Sequence, residues 1–116
     1  MAGGPGYNTG SINTPEIRPM ARRSVPIPVP AAVEAGAAVD IDLFDRDAQV
    51  LLRGTFVATY QIQYSLINGV WHTLGADVVA TMPTPRGLPN GALQVRVNTT
   101  GWTNGSAVCQ VAGVER

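Results

Sequence analysis

Four aspartates fall within eight residues, Asp40, Asp42, Asp45 and Asp47. Carboxylates at that density are the residue type that holds calcium through hard oxygen ligands. The glycine and closing glutamate of an EF-hand loop are missing, though. Asp40 and Asp42 also fit the solvent face of a strand, and Asp45-Arg46-Asp47 fits a turn, so a solvated face is the stronger reading. His72 is the only histidine, which leaves a His-based metal site or a Ser-His-Asp triad no choice of partners. Cys109 sits in an alternating segment, where a small buried hydrophobe is the ordinary reading, and no basic helix end or second histidine lies nearby in sequence to activate it. Trp71, Trp102, Tyr60 and Tyr64 are the side chains that could stack on a sugar. Tyr60 and Tyr64 share an apolar strand face, which favours a core role. Trp102 lies in a polar Gly-rich stretch and is the expected exposed contact. Asn98-Thr99-Thr100 and Asn104-Gly105-Ser106 match the glycosylation pattern, which without secretion marks turns only. Glycine-rich phosphate loops and Cys-x-x-Cys pairs are absent from the sequence. The chain reads as a non-enzyme without a cofactor.

Composition narrows the class further. The chain has 116 residues with eight acidic and eight basic side chains, so its net charge is zero. One domain with a small core is expected at that length. Zero net charge argues against nucleic-acid binding through a basic surface, which draws on many phosphate contacts. One cysteine cannot form an internal disulfide. No apolar run approaches the roughly 20 residues that span a bilayer, so no membrane partner is expected. No basic start followed by an apolar stretch marks a signal peptide. Every basic residue is arginine and lysine is absent. Arginine suits planar contacts at interfaces, although a GC-rich coding sequence produces the same bias.

The elements that must position these residues fall into two parts. Residues 1–33 read as an extended arm, because six of the nine prolines lie in the first 30 residues and such a segment buries too little surface to fold alone. Within it, Ser24-Val25-Pro26-Ile27-Pro28-Val29-Pro30 places proline at alternate positions. Proline excludes helix and removes ladder donors, which leaves polyproline II or an edge strand, with Val25, Ile27 and Val29 on one face. Residues 34–116 read as an all-β domain. Val39, Ile41 and Leu43 alternate with polar residues. From Thr55 to Leu66 the set Phe56, Ala58, Tyr60, Ile62, Tyr64 and Leu66 faces one way, a period-two pattern that a helix would scatter. Asn68-Gly69 predicts a type I′ hairpin. Asp77–Met82 is expected as a short strand, and residues 82–91 as a loop. Leu93, Val95 and Val97 begin another strand, and a turn at residues 100–105 leads to a last strand, Ala107–Val111. Seven or eight short strands predict a single antiparallel β-sandwich, Ig-like or jelly-roll.

Two stretches carry a family resemblance: Ala58 to Gly75, with its strand, Asn-Gly turn and Val-Trp, and Gly91 to Val111, with its Arg-Val, turn and Gly-Ser-Ala-Val. Together they resemble the small β-sandwich domains of tailed-phage virion proteins, such as capsid decoration proteins and head-fibre bases. The likeness covers residues 55–112 and carries no catalytic residue. It implies a structural, virion-located protein that binds the assembled shell, with the major capsid protein or other virion proteins as partner and a homo-oligomer as its form. On that reading Arg18, Arg22 and Arg23 make ionic contacts to the capsid, and Val25, Ile27 and Val29 make apolar ones. A neck, tail or fibre-base component uses the same physics. A glycan-binding module centred on Trp102 is the alternative from a different class.

Overall fold

The computed structural model describes residues 22–115, apart from the side chains of residues 45–47. The described residues are all strand and turn, with no helix. Six strands follow in order: β1 (Arg22–Ile27), β2 (Val39–Asp40), β3 (Phe44–Ile67), β4 (Val70–Thr73), β5 (Arg86–Gly87) and β6 (Gln94–Glu115). They form one antiparallel sheet in the order β1-β6-β3-β4, with β2 added to β6 and β5 to β3. The all-β expectation stands in this coarser form.

The sheet is a curled one, and the register shows how tightly. Asp40 pairs with Gln94 at one end of β6, and Phe44 pairs with Glu115 at its other end. Those two partners are separated by the whole of β6, roughly 70 Å if straight at ~3.3 Å per residue. The link from Asp40 to Phe44 spans at most about 14 Å. The long β3–β6 ribbon must therefore bend until its ends nearly meet. The flanking segments run as chords inside this arc. On one side Val78 pairs with Tyr60, and Met82 N–H donates to the Leu52 carbonyl. On the other, Ile27 lies opposite Cys109, and Thr99 Oγ1 donates to the Pro30 carbonyl at 3.0 Å.

The bend falls where the sequence suggested a turn. Register shifts between Val57 and Ala58 and between Thr59 and Tyr60 leave Thr103 and Thr100 of β6 without a partner position. Such bulges bend a strand without ending it. Gly105 adds a φ of 92° opposite Phe56. The turn expected at residues 100–105 is thus a bulged corner inside β6, and the expected separate strands merge into β3 and β6. Asp45-Arg46-Asp47 likewise lies within β3 and not in a turn. Asp77–Met82 contributes one bridge and no strand. β5 interrupts the expected loop 82–91.

Period-two patterning places the core on the inner face. Val50, Leu52, Cys109 and Val111 come from one half of the ribbon; Tyr60, Ile62, Val95 and Val97 come from the other. Ile27, Ile41, Phe44, Val78, Met82 and Leu88 join them in a single cluster. Leu66 departs from its expected face and is exposed, whereas Ser65 is fully buried. A bulge between Tyr64 and Ile67 causes this, since one inserted residue reverses which side chains point inward.

Candidate functional site

The residues read from sequence as contacts fall into two places. The first is β1. Arg18 lies outside the described residues. Arg22 is exposed opposite Val114. Arg23 Nη1 meets Glu115 Oε2 at 2.9 Å, with more than half of the Arg23 side chain exposed. An ion pair so exposed contributes about 0–1 kcal/mol and leaves the guanidinium accessible.

The apolar members behave differently from the arginines. Ile27 is only 3% exposed, and Val25 and Val29 pack partly buried against the same core. Their shared face, expected to meet a partner, is occupied by this chain's own sheet. Of the two conformations open to the proline-alternating segment, the edge strand is the one adopted. Pro26 sits on the outermost strand, where a missing donor costs no ladder bond. Of the residues assigned to the arm by composition, Arg22–Ile27 form a strand of the sheet.

The second place is the corner of the ribbon. Trp102 lies in β6 opposite Ala58 and is 38% exposed. It lines an open, uncharged groove with Phe56, Val57, Thr59, Val79 and Thr103. Val57 and Val79 are exposed by more than half. Sequence reading found Trp102 and missed these two valines. The signal for Val57 was present, since it is the one aliphatic residue on the otherwise polar face of Thr55–Leu66. Val79 had none, because only the chord geometry brings it alongside. A further apolar patch, Leu66, Ile67, Val70 and Leu93, surrounds the hairpin tip.

The other candidates take structural roles. The Arg96 guanidinium lies 4.2 Å from the Trp71 ring centroid and donates to Gln63 at 2.8 Å. Gln94 donates to Asp40, Asn98 to Gln61, and Gln61 to Asp77. These cross-strand pairs make a polar outer face. His72 is exposed and its ring tilts against Tyr64 at 5.4 Å. Burial pushes the Cys109 thiol up to about 12, so it is held as the neutral thiol. Among the described residues no three His, Cys, Asp or Glu groups converge as metal ligands. Nor do the described residues contain a helix long and apolar enough to cross a membrane.

Comparison with known protein families, curated proteins and solved structures finds no match for this chain.

Proposed function

We propose that the chain is a non-enzymatic structural protein of a phage virion, a decoration protein that binds the assembled head and stabilises it. The observation that carries this reading is the placement of β1. β1 is a proline-blunted edge strand, so its exposed residues Arg22 and Arg23 lie at the rim of the sheet, the side open to a neighbouring subunit. Contacts made only in the assembled state stabilise that state by mass action. Main-chain pairing of an extended segment with a sheet edge supplies affinity without a pocket. The exposed Arg22 and Arg23 at this rim add charge-assisted contacts. In the finer description of the fold, the two halves of the curled ribbon act as the two layers of a β-sandwich, supported by the single core between them.

Removing residues 1–30 would also remove Ile27 from the core, so the informative deletion is 1–21. Particles lacking the protein, mixed with the truncated chain, are expected to bind it far more weakly than the full chain, while its melting temperature stays unchanged. Binding at full strength overturns the anchoring role. A neck, tail or fibre-base location would bind particles in low copy number instead.

The uncharged groove beside Trp102 favours one alternative, a glycan-binding module, since an exposed indole offers an apolar face for stacking and Thr59 and Thr103 line the groove beside it. That reading expects saturable sugar binding by the purified chain, lost in Trp102→Ala.

A further inference from the structure

β1 is the longer of the two strands at the ends of the sheet, six residues against four in β4. It pairs with β6 alone and has no strand on its outer side, so it can leave without breaking another strand pair. Its hold on the domain is the ladder from Arg22–Val114 to Ile27–Cys109, the burial of Ile27 with Val25 and Val29, and the Arg23–Glu115 ion pair.

The connection behind it is built as an excursion. Thr99 is grasped twice: its hydroxyl donates to the Pro30 carbonyl, and its N–H donates to the Glu34 carbonyl. Between those two points Ala31, Ala32 and Val33 loop out, all exposed, Val33 by 66%. Straightened, that loop separates residues 30 and 34 by up to about 13 Å, against the ~4.8 Å between neighbouring strands. Pro26, Pro28 and Pro30 keep the released strand extended and limit the entropy lost when it docks again.

From these features we propose that the β6 edge is an exchange site. The strand that fills it comes from a second copy of this chain when copies are crowded, and β1 of each copy crosses to the next. Every contact that holds β1 is the same whether the strand is its own or a neighbour's. The choice is therefore set by effective concentration, which for a short tether is on the order of millimolar. Exchange of identical elements is a low-cost route to oligomers, and a chain of such exchanges around a ring closes without leaving an empty slot. The inference does not depend on the virion reading, because it concerns this chain and its own copies.

The register supplies a direct test. Ser24 lies opposite Ala112. In a Cys109→Ala background, one full-length variant carries Ser24→Cys alone and another carries Ala112→Cys alone. The two are unfolded, mixed, refolded at high concentration and oxidised. A disulfide between unlike chains forms in register only if β1 of one copy lies on β6 of the other. The expected result is a heterodimer several-fold more abundant than in a control mixture of Ser24→Cys with the out-of-register Thr103→Cys. A single chain carrying both cysteines reports that the geometry closes and the variants fold. A second pair without introduced cysteines, Arg23→Glu with Glu115→Arg, restores the ion pair only between unlike chains and is expected to associate a few-fold more when refolded together than when either is refolded apart. Closure within the double variant, with no heterodimer above control in either mixture, overturns the proposal.

Discussion

Single residues carry unequal parts of this fold, and the chemistry of each predicts a different response. Ile27 is almost fully buried although it lies in a segment rich in proline. Ile27→Ala should cost about 2–5 kcal/mol in chemical denaturation, the range for emptying a core site of that size. Trp102→Ala, at the exposed corner, should cost well under half as much and leave the melting curve nearly in place. Ser65 is the opposite case, a fully buried hydroxyl with no hydrogen-bond partner among the described residues. Ser65→Ala should therefore be neutral, or stabilising by up to about 1 kcal/mol, because no bond is lost and a desolvated hydroxyl is removed. Cys109 sets a pH limit. Its thiol pKa is raised on folding, so the stability it contributes is intact below the ordinary thiol value. That stability falls as pH climbs from about 9 toward 12, since only the unfolded chain then ionises. Denaturation midpoints at pH 8 and pH 10 should differ more in the wild type than in Cys109→Ala, where burial of Tyr60 leaves a smaller dependence of the same sign. A thiol reagent at pH 8 should label the folded chain far more slowly than the unfolded one.

At the scale of elements, the sequence was legible wherever local chemistry decides. The alternation around Tyr60 and Ile62 placed both in the core, and Asn68-Gly69 marked the β3–β4 hairpin, where Gly69 has a φ of 86°. Legibility failed where pairing partners decide. Thr99-Thr100-Gly101-Trp102-Thr103-Asn104-Gly105 has turn composition. Yet each of its residues but two is matched to a position on β3, and the two unmatched ones are absorbed as bulges. Nothing local in the sequence distinguishes a bulged corner from the end of a strand, because glycine and threonine serve both. The same corner shows how a side chain can stand in for a strand. Thr81 Oγ1 accepts from the Gly54 N–H at 3.0 Å and donates to the Gly54 carbonyl at 2.7 Å. Thr81→Val removes both bonds at constant shape and should cost about 1–3 kcal/mol by thermal or chemical melting. A similar lesson applies to the contact residues. Val25, Ile27 and Val29 were correctly grouped on one face, but which surface that face meets is a matter of topology.

Across the whole molecule the decisive quantity is copy number in particles purified from the source, measured by quantitative mass spectrometry. Hundreds of copies per particle are expected of a decoration protein on a repeating lattice. A dozen or fewer would move the chain to the neck, tail or fibre base, and complete absence would favour the sugar-binding reading at Trp102. Neither fold class nor composition carries this information, since symmetry is a property of the partner lattice.

The position of β6 has a consequence in time. It is the central strand, joining β1 and β2 on one side to β3 on the other, and it is the last of these elements to be made. While the ribosome is still upstream of Gln94, the inner edge of β3 has no partner and the apolar face of Val50, Leu52, Tyr60 and Ile62 has no lid. Maturation is consequently a late, nearly all-at-once event dominated by long-range pairing, the slow regime for folding. During that interval the unpaired edge and open apolar face are exposed to association with other unfinished chains.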